Sequence, residues 1–251
     1  VAQSRALVVI PTYQEAANIE RVLGQVRESA PVVDVLVVDD NSPDGTAKLA
    51  ESVSEALGSI QVLSRPGKDG LGSAYRAGFA WGLERNYDVL IEMDADLSHD
   101  PADLPRLLES IDSGNDLVVG SRYVPGGAVP GWPVHRSLLS REGNRYAKLM
   151  LGIPLLDATS GYRAYRASVL RRIDLTEVRA DGYGFQIEMA YRMHRNGANV
   201  AEVPITFVDR TLGKSKMSGR IIVEALALVT VWGVRDRLRR LRKRTSGRRQ
   251  S

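Results

Sequence analysis

The sequence predicts an α/β protein: a mostly parallel sheet flanked by helices, ending in an amphipathic helix and a basic tail. Three observations carry this prediction. Short β-branched or Leu-rich runs alternate with helical patterns through the first 120 residues. Each run stops at turn-forming or polar residues, as strands buried on both faces do. Beyond residue 220 an apolar stretch gives way to a dense run of arginines.

The first strand is expected over residues 6–10. A helix follows, because Ile19, Val22, Leu23 and Val26 fall at i, i+3, i+4 and i+7. Further strands are expected at 33–38, 60–63, 89–93 and 117–119. Leu104, Leu107, Leu108 and Ile111 repeat the helical spacing between the last two. Such alternation predicts right-handed βαβ units. The regularity stops after Arg122. Residues 125–133, PGGAVPGWP, are rich in turn formers and read as a long loop, and long loops beside a site are often lids. Helical patterns return at 141–151 and 183–196, and a strand-like run covers 199–207. The last apolar stretch, 221–234, contains Glu224 and falls short of the roughly 20 apolar residues that span a bilayer. Arg220 before it and Arg235, Arg237, Arg239 and Arg240 after it suit a helix lying in a membrane interface. A helix packed on the body or on a partner subunit is the other reading.

Of the 251 residues 43% are hydrophobic, enough for a sizeable core. There is no cysteine, which excludes disulfides, thiolate metal sites and cysteine nucleophiles. The N-terminus runs straight into the first strand, so no signal peptide is expected. From Arg235 onward nine residues are basic and one acidic, a net of +8; the whole chain carries +4, which leaves −4 for the body. Such a tail suits an anionic surface, membrane or nucleic acid. No aromatic stacking platform accompanies it, which favours the membrane.

In parallel sheets ligands bind beyond the carboxyl ends of the strands. The residues found there are Pro11-Thr12-Tyr13-Gln14-Glu15, Asp39-Asp40-Asn41, Asp94-Ala95-Asp96 and Ser121-Arg122. Several acids at one edge are costly unless a cation or a donor-rich ligand neutralises them. Asp94 and Asp96, at i and i+2, can face the same side and offer hard oxygens to Mg²⁺ or Mn²⁺ beside a diphosphate. The competing reading is a helix-entry turn. Asp39-Asp40 can accept hydrogen bonds from a base or ribose, or can simply build a turn. Gly67-Lys68-Asp69-Gly70-Leu71-Gly72, ahead of a helix, can cradle phosphate. Arg122, Arg136, Arg141, Arg163, Arg210, Lys214 and Lys216 are candidate phosphate ligands, Arg122 foremost because it directly follows a strand. The three histidines, His99, His135 and His194, show no triad order or zinc spacing; His99 reads first as a solvent-exposed loop residue, with an approach to the metal site as the other reading.

The runs Val9-Ile10-Pro11-Thr12-Tyr13-Gln14-Glu15, Val37-Val38-Asp39-Asp40-Asn41-Ser42-Pro43-Asp44-Gly45-Thr46 and Met93-Asp94-Ala95-Asp96-Leu97-Ser98-His99 resemble glycosyltransferase family 2. Gly120-Ser121-Arg122-Tyr123, Ser160-Gly161-Tyr162-Arg163 and Val208-Asp209-Arg210 with Ser215-Lys216 narrow the resemblance to dolichol-phosphate, or polyprenol-phosphate, mannosyltransferases, the bacterial mannosyl-phosphopolyprenol synthases included. The resemblance spans roughly residues 5–218. It implies a GT-A fold over 1–216, followed by a C-terminal interfacial helix and basic tail at 217–251. It implies GDP-mannose as donor, a polyprenyl monophosphate as acceptor and Mg²⁺ or Mn²⁺ as cofactor. By the same resemblance Pro11, Tyr13, Glu15, Val38 and Asp40 line the nucleotide pocket, and Asp94, Ala95 and Asp96 contact the donor. Asp94, Asp96 and Ser98 hold the metal, although some relatives carry Gln at the last position. Arg122, Arg210 and Lys216 hold the donor phosphates and sugar, with Asp94, Asp96 and Arg122 as the catalytic group, and Arg136 and Ser140 take the lipid phosphate. Many relatives carry C-terminal transmembrane helices, so attachment here is expected through the final helix, an integral membrane partner or a further portion of chain. The expected place is the cytoplasmic face of the membrane, with no nucleic-acid partner. Two other readings are a UDP-glucose-dependent polyprenyl-phosphate glucosyltransferase and, from a different class, a phosphoacceptor receiver domain, which would use Asp39-Asp40 and Asp94 but leave Asp96 idle.

Overall fold

The computed structural model describes residues 4–209 and 219–247. Among these residues lie seven strands: β1 (Ala6–Thr12), β2 (Asp34–Asp39), β3 (Ile60–Ser64), β4 (Val89–Glu92), β5 (Leu117–Ser121), β6 (Arg163–Arg166) and β7 (Val200–Pro204). They form one sheet in the order β3-β2-β1-β4-β6-β5-β7. All pairs are parallel except those of β6, which runs antiparallel to β4 and β5. The helices are α1 (Ile19–Ser29), α2 (Thr46–Leu57), α3 (Leu71–Glu84), α4 (Leu104–Asp112), α5 (Val134–Leu151), α6 (Ala167–Leu170), α7 (Gly182–Arg195) and α8 (Gly219–Gly247).

The alternation of β1 divides the core in two. Leu7 and Val9 pack into a cluster with Tyr75 and Phe79 of α3, Leu151 of α5 and Phe185 of α7. Val8 and Ile10 face the other way, onto Ile19, Val22 and Leu23 of α1 and Leu104 and Leu107 of α4. All four β1 residues are fully buried, and each such side chain contributes about 1.5–3 kcal/mol. A sheet covered on both faces needs apolar residues on both faces, which is why the strands read as continuous hydrophobic runs.

Helix α3 lies unusually close to the sheet. A Cβ at Gly78 would overlap the Val9 side chain, and one at Gly82 would meet Leu90 and Leu7. Gly78→Ala should therefore destabilise the protein by about 1–3 kcal/mol, the usual cost of overpacking, despite alanine's better helix propensity. A chemical-denaturation midpoint at or above that of the wild type would contradict this packing.

Strand β6, RAYR, escapes the sequence pattern because two of its four residues are arginines. Helix α5 starts seven residues earlier than its periodicity suggests. Its first turns expose Val134, Leu138 and Leu139, so no inward-facing apolar repeat marks them. Helix α8 packs on α5 and α7 through buried Ala225 and Val229, and the Tyr191 hydroxyl donates to Asp236 at 2.6 Å. Its opposite side exposes Val223, Val231, Val234 and Leu238. No described helix is long and apolar enough to cross a membrane.

Candidate active site

The carboxyl ends of β1, β2 and β4 open into one cleft of about 530 Å³. Pro11, Tyr13, Glu15, Asp40, Asp94, Ala95, Asp96, Ser98, Arg122 and Arg136 all line it. Val38 does not: it is fully buried in the core against α3, as an apolar mid-strand residue should be. Arg210 and Lys216, with Lys214, lie outside the described residues.

The two acids after β2 divide their work. Asp39 is spent on the turn, accepting from the Thr12 hydroxyl at 2.8 Å, the Ser42 hydroxyl at 2.6 Å and the Ser42 backbone N–H at 2.8 Å. Asp40 faces the cleft, held by Arg65 at 2.6 Å. Burial raises its pKa, and Arg65 opposes the rise without cancelling it. Gln14 and Asn41, in the loops after β1 and β2, have positive φ, as does Leu97 beyond β4. Such residues cost of order 1–3 kcal/mol and persist where the surroundings fix them. For Gln14 the fixture is a backbone bond to the Ser42 hydroxyl at 3.0 Å.

Asp94 accepts from the buried Tyr75 hydroxyl at 3.1 Å, while its backbone N–H donates to His99 Nδ1 at 3.2 Å. Burial first, then the Asp94 charge, drives the Tyr75 pKa well above its ordinary value, so this phenol stays a donor. His99 is buried and stacked on Tyr162 at 4.9 Å, not the solvent-exposed loop residue its position suggests. Accepting at Nδ1 leaves its proton on Nε2 in the neutral ring. Asp96 receives the Ser98 N–H at 3.0 Å, so Leu97 turns back and Asp94 and Asp96 both reach the cleft. The helix-entry role belongs instead to Asp100, which caps at Ala102 N–H, 2.9 Å. Among the described residues no three His, Cys, Asp or Glu side chains gather as a metal cage. Two carboxylates on an open cleft nevertheless suit a hard divalent cation that takes its other ligands from water and substrate phosphates.

Arg122 is almost wholly buried. Its Nε and Nη2 donate to Asp157 at 2.7 and 2.6 Å, its Nη2 also to the Thr159 hydroxyl at 2.9 Å, and its backbone N–H to Asp157 at 3.0 Å. Burial alone would raise the Asp157 carboxyl, but the Arg122 charge and hydrogen bonds outweigh it and hold the pKa below the usual value. Arg122 thus reaches the cleft with much of its fork already engaged. Arg163 is fully buried and donates to the carbonyls of Ser160, Gln186 and Ala158, each at 2.6 Å. It ties the Ser160-Gly161 loop to α7 and is no phosphate ligand. Beside it, burial pushes Glu92 up to about 7 despite Arg163, with Tyr165 and Gln186 donating at 2.8 and 2.7 Å.

The glycine-rich loop is also occupied from within. Asp181 accepts from the Gly72 N–H at 2.8 Å, at the first turn of α3, and sits where a Gly70 side chain would be. That carboxylate fills the anion position which the sequence offered to phosphate. Lys68 instead reaches over the Tyr13 ring, 4.5 Å from its centroid, on the cleft wall. Tyr75, Asp157 and Asp181 escape a sequence reading because their partners are 19, 35 and 109 residues away.

A second, apolar groove of about 90 Å³ lies between α5, α7 and α8, lined by Leu139, Ser140, Ile187, Ile222, Ala225, Leu226 and Val229. Trp132, Arg136, Thr159 and Tyr183 border both cavities. Ser140 accepts from the Tyr123 hydroxyl at 2.6 Å and belongs to the groove. Arg136 pairs with Asp209 at 2.6 Å.

The sequence model of the family Glycosyl transferase family 2 matches residues 7–174. Undecaprenyl-phosphate mannosyltransferase of Micrococcus luteus is 54% identical over 240 residues, covering 96% of this chain and 98% of the relative. Polyprenol monophosphomannose synthase of Mycolicibacterium smegmatis is 53% identical over 239 residues, 95% and 90% of the two chains. Among solved structures, glucosyl-3-phosphoglycerate synthase from Mycobacterium tuberculosis, in complex with Mn²⁺, UDP and glucosyl-3-phosphoglycerate, superposes with a TM-score of 0.67 at 23% identity, over 91% of this chain and 79% of that one. That likeness concerns the fold. The chain belongs to glycosyl transferase family 2, with the GT-A fold, and is a glycosyltransferase.

Proposed function

We propose that this enzyme transfers mannose from GDP-mannose to a polyprenyl monophosphate, giving polyprenyl phosphate mannose and GDP. The observation that carries this reading is the junction of two unlike cavities at Arg136 and Trp132: a cleft lined by several acids meets an apolar groove. A sugar nucleotide and a phosphorylated lipid need that pairing. Relatives more than half identical over nearly the whole chain bear the names of mannosyltransferases acting on such lipids.

In this reading Pro11, Tyr13, Glu15 and Asp40 receive the nucleoside, with Lys68 as an additional cation. Asp94 and Asp96, with Ser98 beside them, would hold Mg²⁺ or Mn²⁺, which supplies charge stabilisation for the departing diphosphate. Arg210 and Lys216 are assigned to the donor phosphates by family resemblance alone. The acceptor phosphate sits at Arg136 and Ser140, its lipid in the groove of α5, α7 and α8. A phosphate monoester is mostly dianionic at neutral pH, with a second pKa of about 6. Its oxygen attacks the anomeric carbon as the bond to GDP breaks, and no general base is required. The protein's contribution is orientation and charge placement. Residues 1–216 form the catalytic unit. Residues 217–251, with the outward apolar side of α8 and the basic tail, hold it on the cytoplasmic membrane face, directly or through an integral partner.

A donor panel tests the reading. GDP-mannose should support transfer to polyprenyl phosphate with Mg²⁺ or Mn²⁺, at least tenfold faster than UDP-glucose, GDP-glucose or UDP-galactose. Preference for UDP-glucose would replace it with the glucosyltransferase alternative.

A further inference from the structure

We infer that Asp209 is an internal stand-in for the acceptor phosphate, a positioning residue whose carboxylate holds Arg136 and Trp132 in place until the lipid phosphate exchanges for it. The inference rests on the assignment of the acceptor phosphate to Arg136. Asp209 accepts from Arg136 Nη1 at 2.6 Å and from Trp132 Nε1 at 3.1 Å. The Arg136 guanidinium lies over the Trp132 ring, 3.8 Å from its centroid. A second guanidinium, Arg122, stands 5.5 Å from the same ring. Trp132 and Arg136 border both cleft and groove, together with Thr159 and Tyr183, and Asp209 lines the cleft side.

A carboxylate bridging a guanidinium and an indole N–H offers the oxygens that a phosphate would offer. Arginine's planar fork accepts either anion in the same geometry. The pair is half-exposed, with 37% and 48% of the two side chains accessible, so the exchange costs little and water is at hand to solvate the released acid. While Asp209 remains charged and near, it also repels a second anion. It therefore keeps the phosphate position assembled and weakens acceptor binding at once.

The test is steady-state kinetics with farnesyl phosphate and a long-chain polyprenyl phosphate as acceptors. Asp209→Asn keeps the size of the side chain and an acceptor for Trp132 but removes the charge. The acceptor KM should fall about two- to fivefold, the range an exposed ion pair supports, while the GDP-mannose KM stays level. The decrease should shrink as salt is raised, and Asp209→Glu should restore the wild-type KM. An unchanged or higher acceptor KM in Asp209→Asn, alongside a raised acceptor KM in Arg136→Gln, would overturn the inference alone. An Arg136→Gln variant with normal acceptor KM would overturn the acceptor-site assignment, and the role of Asp209 with it.

Discussion

Asp94→Ala and Asp96→Ala enzymes should lose mannose transfer by at least about 10³-fold in kcat while remaining folded. The magnitude follows from the chemistry: removing a single group aimed at developing charge already costs about 10²–10³, and in the proposed reading the lost carboxylate would also hold the cation. Asp94 is half-buried and Asp96 is buried, but both line the cleft and neither is part of the apolar core. Asp94 stands on the cleft with Tyr75 behind it, and Asp96 closes a short turn to Ser98. Asp96→Ala should therefore lower the melting temperature slightly, whereas Asp96→Asn keeps an acceptor for the Ser98 N–H and isolates the lost charge. Circular dichroism would establish the fold, and equilibrium dialysis of Mn²⁺ with GDP would show the binding defect. Near-normal transfer by a folded variant would remove these acids from the catalytic account.

The largest loss of stability is expected from Asp157→Ala. Breaking a buried ion pair by removing one partner costs about 3–5 kcal/mol, because Arg122 would be left buried and charged without its counter-ion. Thr159 and the Arg122 backbone N–H would lose a partner as well. The pair also sets a pH dependence. Asp157 has a folded pKa below that of the unfolded chain. Its contribution is complete above the unfolded value of about 3.9 and is lost as pH falls through the folded value. Urea-denaturation midpoints measured from pH 7 downward should show a steeper acid decline for the wild type than for Asp157→Asn. Parallel curves, or a loss under about 1 kcal/mol in Asp157→Ala, would contradict the pair's structural weight.

The parallel half of the sheet is legible in the sequence because each strand is a short apolar run bounded by the residues that face the cleft. Asp94, Asp96 and Asp40 are legible as cleft residues for the same reason: a position at a strand end is a position on the cleft. Local reading fails where the partner is distant. Nothing near Arg122 announces Asp157, so its main engagement with that acid is invisible in the chain. Nothing near Gly72 announces Asp181, so the glycine-rich loop reads as an open anion site although a carboxylate already fills it. His99 reads as a loop residue because its burial depends on Tyr162, which the chain places against it only after β5 and α5, at the entry to β6. The apolar groove is assembled from three helices, and the one that closes it, α8, exposes apolar residues on its far side as well. Two apolar faces on one helix blur the periodicity from which a sequence reading starts.

The most direct measurement is the configuration of the product. GDP-mannose carries its sugar in the α configuration, and a single displacement by the lipid phosphate inverts it. The product should be a β-linked mannosyl phosphate by NMR, formed with Mg²⁺ or Mn²⁺ present and suppressed by chelation with EDTA. An α-linked product, or full transfer after exhaustive chelation, would contradict this mechanism.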